Sequence, residues 1–491
     1  MNIQRLFLFF LTLFSVSTVY SQTTFTSLTA ETNSMGNRFE HILVKEHQYP
    51  NTVTCNIYDS VTDPFTAFGY QYVQDSVVKS RYVFLKGYLV FDFKVSTDSV
   101  FFCGTDSLNN AIIGFFDIQD LFFNNGTFFI QNTFQTYAQN ETHKVERFTK
   151  LVTYRTPSNA RHIVCIGYID NTVSSLNSGC IVDLYYSENK TAEGRPAGLW
   201  AYASGELYKT QKNSLMDIDI IDNWIITAGF ENTNYITLRT YKSDNIFSLT
   251  GPQNSYREFH LFQTSTTYPK KWNPDELHLA TINNDTIATA ASWISNGNSG
   301  GIPTKMTRRI NIAQYRIIPT TGAITPTMLS LDELYFRDYP NEVKIQDFIA
   351  NKPKRRLAMI LEAENRNGDV HSLFFESNNK LQFRLCNKNT YFDWEDEYDM
   401  LLGGIDTYNN RKQYIMAGAD ERYKNYHIYR IETSEQSSLR QPSVNVQVNN
   451  VPVVSSEMIE YPFNVTYGIG NIIPVSRFIM YNWNTEISCI E

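Results

Sequence analysis

The amino-acid sequence predicts an all-β fold built from a repeated unit. Three observations carry this: a composition suited to strands, a hairpin pattern that recurs along the chain, and a lack of long helical runs. The 491 residues include 31 Tyr and 33 Phe, and aromatic residues make up 14%. Tyr, Phe, Val, Ile and Thr fit pleated, half-buried surfaces. Stretches of Ala, Glu, Lys and Leu are scarce, so few helices are expected. Charged residues are only 19% and Gly and Pro are not enriched, which sets aside disordered and collagen-like classes.

The recurring pattern is a short strand, a polar turn and a second strand that ends in small residues. Clear copies occupy 92–104, 218–229, 279–291 and 404–418. Looser copies occupy 151–167, with a turn at 157–159, and 345–361, with a turn at 352–354. The turns carry Asp, Asn, Ser or Pro, which reverse the chain through side-chain bonds or a fixed φ. A further strand follows each hairpin, as at 114–118, 180–185 and 235–241. The second strands end at 104, 167, 229, 291, 361 and 418, a period of about 60 residues.

A sheet of this kind buries its two faces only against neighbours, and a circle of such sheets hides most exposed edges. The pattern resembles β-propellers across nearly all of the chain after residue 21. That resemblance implies a single β-propeller of about seven long blades, with six or eight also compatible. Weaker copies at 41–58, turning near 49–51, and at 461–483 are read as one closing blade built from both termini. A pair of β-sandwiches is the competing architecture; a period sustained over roughly 300 residues argues against it. No named propeller subfamily is matched. The Trp-Asp dipeptide of WD40 blades and the Asp box of sialidases are absent, and the Gly403-Gly404 pair does not recur in register as kelch repeats require.

The first 21 residues have the order of parts of a cleaved signal peptide: Arg5, an apolar run from Leu6 to Phe14, then Val19-Tyr20-Ser21 before Gln22. Residues 22–491 are therefore expected to form the propeller in a secreted, periplasmic or extracellular location. No later apolar run reaches the length of a membrane span, so no transmembrane anchor is expected. The chain also resembles secreted bacterial proteins of unknown function, a resemblance that brings no activity with it.

The chemistry legible in the sequence is sparse. A net charge of −8 and a pI of about 5.6 give no footprint for nucleic acid. The six cysteines, Cys55, Cys103, Cys165, Cys180, Cys386 and Cys489, lack C-x-x-C spacing, so no zinc or redox motif is indicated. They are read either as disulfides or as buried free thiols. Eight scattered histidines form no H-E-x-x-H motif, and no G-x-S-x-G elbow occurs. Catalytic residues are thus unknown from sequence, and neither a cofactor nor a metal is expected. The acidic run of Asp393, Glu395, Asp396, Glu397 and Asp399 lacks the glycine of a compact calcium loop and reads as a solvated loop. Asp217 and Asp219 share a strand face and, with Asp222, read as solvent-facing or as ligands of an ion in a central channel. The basic run 352–356 reads as an exposed turn, a polyanion contact or a dibasic cleavage site. Sequons stand at Asn125, Asn140, Asn189, Asn284 and Asn464. Trp200, Trp272, Trp293 and Trp394 are placed in or near loops.

These features point to an exported binding module or scaffold that recognises a glycan or protein partner through propeller loops. The alternative is a polysaccharide-acting hydrolase or lyase with its site at the central channel. The absence of a catalytic signature leans away from an enzyme.

Overall fold

The computed structural model describes residues 23–32, 38–59, 65–74, 77–132, 134–138, 141–155, 161–169, 179–186, 199–200, 205–207, 213–231, 235–242, 254–259, 270–295, 298–299, 302–303, 307–325, 330–336, 342–364, 370–377, 383–388, 400–411, 413–420, 425–433, 447–448 and 451–452. The expected signal peptide and the weak copy at 461–483 lie outside them. The chain divides into two compact units. One is Phe25–Ile431. The other joins Met1–Thr24 to Glu432–Glu491 and, among its described residues, contains a two-stranded pair, Gln447–Val448 with Val451–Pro452.

Phe25–Ile431 is nearly all β and propeller-like. Among the described residues it forms seven sheets of four or more strands, met in chain order. The innermost strands of the first six are Arg38–Glu46, Tyr88–Ser96, Glu141–Arg155, Asn213–Ile221, Lys270–Thr281 and Glu342–Asn351; that of the seventh is Met400–Tyr408. Each packs against the innermost strand of the next sheet, and Met400–Tyr408 packs against Arg38–Glu46. The seventh sheet takes its outermost strand, Thr23–Thr32, from the start of the chain, so both ends of the strand order meet there. The hairpin at 41–58 differs from its expected place. It heads the first sheet, continuous with Phe65–Gln74 and Val77–Lys86, because those two strands follow it without a crossover.

All six clear or loose sequence repeats are inner hairpins of successive sheets, from the second to the seventh. In two copies the small residue at the end has a packing cause. Every innermost strand carries a register shift, for example between Val90 and Asp92 and between Phe148 and Lys150. Gly104 and Gly167 stand opposite these two bulges, and a Cβ there would collide with the carbonyls of Leu89 and Arg147. A glycine fits the bulged carbonyl where a larger residue would displace it.

Second strands read as unbroken apolar runs because both faces are buried. In Ser99–Asp106, Val100 and Phe102 pack toward the first sheet, against Val53, Cys55 and Phe68. Phe101 and Cys103 pack toward the third, against Phe148, Leu151 and Cys165. Each such side chain, fully buried, contributes roughly 1.5–3 kcal/mol. Cys55, Cys103, Cys165 and Cys180 are free, buried thiols, which decides those four against disulfides. Burial pushes the Cys180 thiol up to about 12 and holds Cys55 and Cys165 well above the ordinary value. They pack as small hydrophobes and are unreactive.

Candidate functional site

Register shifts recur in the innermost strands, and Asp92, Lys150, Asp217 and Asp347 each stand just after one. His278 takes the matching place in the fifth sheet, opposite Ala290. A bulge re-aims the side chain that follows it. Lys150 feels Asp92, Asp217 and Asp347, from the second, fourth and sixth sheets, so one ammonium is within electrostatic reach of all three carboxylates.

The three aspartates do the same work. Asp92 Oδ2 accepts the Leu151 N–H of the next sheet at 3.0 Å. Asp217 Oδ2 accepts the Leu279 N–H at 2.7 Å, and its Oδ1 accepts the Ile218 N–H at 2.8 Å. Asp347 Oδ2 accepts the Ile405 N–H at 2.9 Å, and its Oδ1 accepts the Phe348 N–H at the same distance. Two residues further along the strand lies a second tier. There Asp219 accepts from Ile220 and Thr281, both at 2.8 Å, and Asp406 accepts from Thr407 at 2.9 Å and Glu46 at 3.2 Å. Charge-assisted bonds of this kind are about twice as strong as neutral ones. At the fifth sheet a histidine replaces the carboxylate, and His278 Nε2–H donates to the Ile345 carbonyl at 3.2 Å.

Burial lifts the Asp217 carboxyl to about 6, against the pull of Lys150 and of its two backbone donors. Burial, reinforced by Lys150, lowers His278 to about 4, so its ring is neutral near pH 7. Burial also raises Asp347, but Lys45, Lys150 and the Ile405 N–H outweigh it and leave that carboxyl below the ordinary value. Burial alone would lower Lys150; the three carboxylates reverse this and hold its ammonium charged. Asp92 holds Lys94 above its ordinary value across 4.0 Å. Among the described residues no three His, Cys, Asp or Glu side chains gather as a metal-ligand set.

Asp217 is only 7% exposed, so the solvent-facing expectation fails for it. Its strand face lines the sheet-to-sheet centre. Asp222 is exposed in the following turn, with φ 47°. The acidic run 393–399 lies outside the described residues. The basic run divides: Lys352 and Arg355 are exposed, while Arg356 Nη1 lies 3.3 Å from the fully buried Glu376, which also accepts the Tyr414 O–H at 2.9 Å. Trp272 and Trp293 are not in loops; they stand opposite each other in paired strands, as the strand preference of Trp favours. Trp200 closes the two-residue strand Leu199–Trp200, and Trp394 lies outside the described residues. Asn125 and Asn284 are exposed; Asn140, Asn189 and Asn464 lie outside the described residues.

Asp92, Lys150 and Asp347 belong to no motif that stands out in the sequence. Aligning the repeat copies on their bulges would have found them, since Asp92, Asp217 and Asp347 then fall in one column.

No family model and no curated protein matches the chain. Among solved structures it is similar to a polysaccharide lyase, Uly1 (9% identity, TM-score 0.45, covering 80% of this chain and 89% of that one). It is also similar to the extracellular domains 1–2 of Drosophila Semaphorin 1a (7% identity, TM-score 0.42, 84% and 89%). A third similarity is to a post-proline cleaving enzyme from Rickettsia typhi (9% identity, TM-score 0.37, 85% and 54%). Among the described residues no helix is long and apolar enough to cross a membrane.

Proposed function

We propose that the chain is an exported, single seven-bladed propeller that acts as a non-catalytic binding module, recognising a glycan or protein partner through loops at the ends of its sheets. The seven-blade reading rests on the seven sheets and on the packing of the seventh against the first. Export rests on the first 21 residues. The observation that carries the functional reading is the engagement of the central carboxylates. Both oxygens of Asp217 and of Asp347 accept backbone N–H groups, and one of those bonds crosses to the next sheet in each case. A general acid or base needs an oxygen within reach of a substrate proton. These oxygens are occupied by groups whose loss would leave buried donors unsatisfied.

A polysaccharide-acting enzyme is the second reading. What favours it is Asp217 itself, whose carboxyl burial lifts to about 6 against the pull of Lys150. Raised carboxyl values of this kind mark glycosidase acids. The two readings separate in one screen of the purified protein against a panel of acidic and neutral polysaccharides, read for both binding and product release. Binding without new reducing ends or unsaturated products is expected. Product release that disappears in Asp217→Asn would replace the module with the enzyme.

A further inference from the structure

The protein carries net negative charge, yet the inner-hairpin turns of the sixth and seventh sheets present an arc of exposed cations. Lys352 and Arg355 flank the sixth turn, which the Arg355 N–H closes onto the Lys352 carbonyl at 3.1 Å. Arg411 ends the seventh turn, and Asn351 Nδ2 donates to its carbonyl at 2.8 Å, so the two turns are stitched together. The stitching continues to the first sheet. The Asn409 N–H donates to Glu46 Oε1 at 2.9 Å, and the Tyr408 O–H to the Pro50 carbonyl at 2.8 Å. There Tyr49, 45% exposed, lies against the buried Tyr408 with ring centroids 5.0 Å apart. Among the described residues no salt bridge engages Lys352, Arg355 or Arg411, although Arg411 favours the Glu46 carboxylate. Arg355 and Arg411 sit at φ 50° and 64°, a left-handed conformation that costs a non-glycine residue about 1 kcal/mol or more and that Asn or Gly adopts more readily. Arginine in both places is thus unfavourable for the turns themselves.

We infer that this arc is the docking surface for an acidic polysaccharide, its sulfate or carboxylate groups met by Lys352, Arg355 and Arg411 and a sugar ring laid on Tyr49. The inference rests on the binding-module reading and names its ligand class. Guanidinium groups match sulfate and carboxylate geometry in two-point contact. An exposed tyrosine braced by a second ring offers a flat apolar platform with a polar edge. An acidic peptide would use the cations but would leave the platform idle, so the combination favours a glycan. The arc is held by hydrogen bonds within and between turns, so it is preformed and little ordering is required on binding.

The test uses the purified full chain on sensors bearing heparin, polygalacturonate or neutral dextran, with poly-glutamate on a fourth. Saturable binding to at least one polyanionic glycan, none to dextran, and affinity falling steeply with added salt are expected. The substitution K352N/R355N/R411N should weaken glycan binding by at least about tenfold. Because Asn suits the left-handed positions, this variant should melt no lower than wild type, so lost binding will not reflect lost folding. Tyr49→Ala should weaken binding several-fold while leaving the salt dependence unchanged. Undiminished glycan binding in the Asn triple variant would overturn the assignment. So would equal capture by poly-glutamate with no effect of Tyr49→Ala, which would point to an acidic peptide. Binding to dextran alone would overturn it too, while leaving the binding-module reading standing. Cleavage of a bound polysaccharide would instead remove the binding-module reading, whatever the Asn triple variant does.

Discussion

Two sets of charged residues in this protein are built in opposite ways. The central set, Asp92, Asp217 and Asp347 around Lys150, is turned inward, and its oxygens hold the backbone of the next sheet. The turn set, Lys352, Arg355 and Arg411, stands in solvent on strained turns with no salt bridge among the described residues. The difference teaches where charge serves the fold and where it is free for a ligand. A buried carboxylate that loses its donors, or a donor that loses its carboxylate, is costly. An exposed cation costs the fold almost nothing to change. Substitutions in the two sets should therefore separate stability from binding.

The largest effect is expected from Asp217→Ala. It leaves the Ile218 and Leu279 N–H groups without their acceptor and takes one of three carboxylates from Lys150. A loss of about 3 kcal/mol is expected by urea denaturation. A cost below about 0.5 kcal/mol would erase the distinction between the two sets. Next comes Lys150→Met, which keeps most of the volume but leaves the three carboxylates without their shared cation. A loss of about 1–3 kcal/mol is expected, and the Asp217 carboxyl should titrate above its present value of about 6, followed by carboxyl-carbon NMR.

The pH dependence sharpens the comparison inside the central set. His278 has a folded value of about 4 against 6.5 in the unfolded chain. The unfolded chain binds that proton first, so this contribution to stability is lost as pH falls from 6.5 through 4. Asp217 runs the other way, since its folded value of about 6 exceeds its unfolded value of 3.8. Its contribution is present at low pH and is lost as pH rises through about 6. Between pH 4 and 6 the two oppose each other. Melting midpoints across that range should show His278→Gln losing less stability on acidification than wild type, and Asp217→Asn losing more. The same sign for both variants would contradict the two assignments. The smallest effect belongs to the turns: K352E/R355E/R411E should change stability by no more than about 0.5 kcal/mol by urea denaturation.

Much of the fold was legible because most repeat copies join a polar turn to an apolar strand ending in a small residue, although the copy at 345–361 ends in Leu361. The bulge explains that signal, since Gly104 and Gly167 must admit a neighbouring carbonyl. The seventh sheet was less legible. Strand Thr23–Thr32 carries no hairpin mark of its own, and its place is decided by pairing with the far end of the chain. The central site was half legible. Alternation put Asp217 and Asp219 on one face, but only the turn of the bulge toward the next sheet buries Asp217 and gives it two donors. The basic run looked uniform in sequence, yet Arg356 begins a strand beside the buried Glu376, while Arg355 is turned outward by its left-handed backbone. Arg411 could not have been joined to it, since about 55 residues separate them along the chain and only the Asn351 bond brings the turns together.

The central claim is that the inner carboxylates are latches between sheets, and amide hydrogen exchange at the latched positions tests it most directly. In the wild-type protein the Leu151, Leu279 and Ile405 amides should exchange only through large-scale opening. In Asp217→Ala the Leu279 amide, left without its acceptor, should lose more protection than the Leu151 and Ile405 amides. An unaltered Leu279 amide in that variant would show that the carboxylate is not what holds the two sheets together, and would return Asp217 to the list of groups free for chemistry.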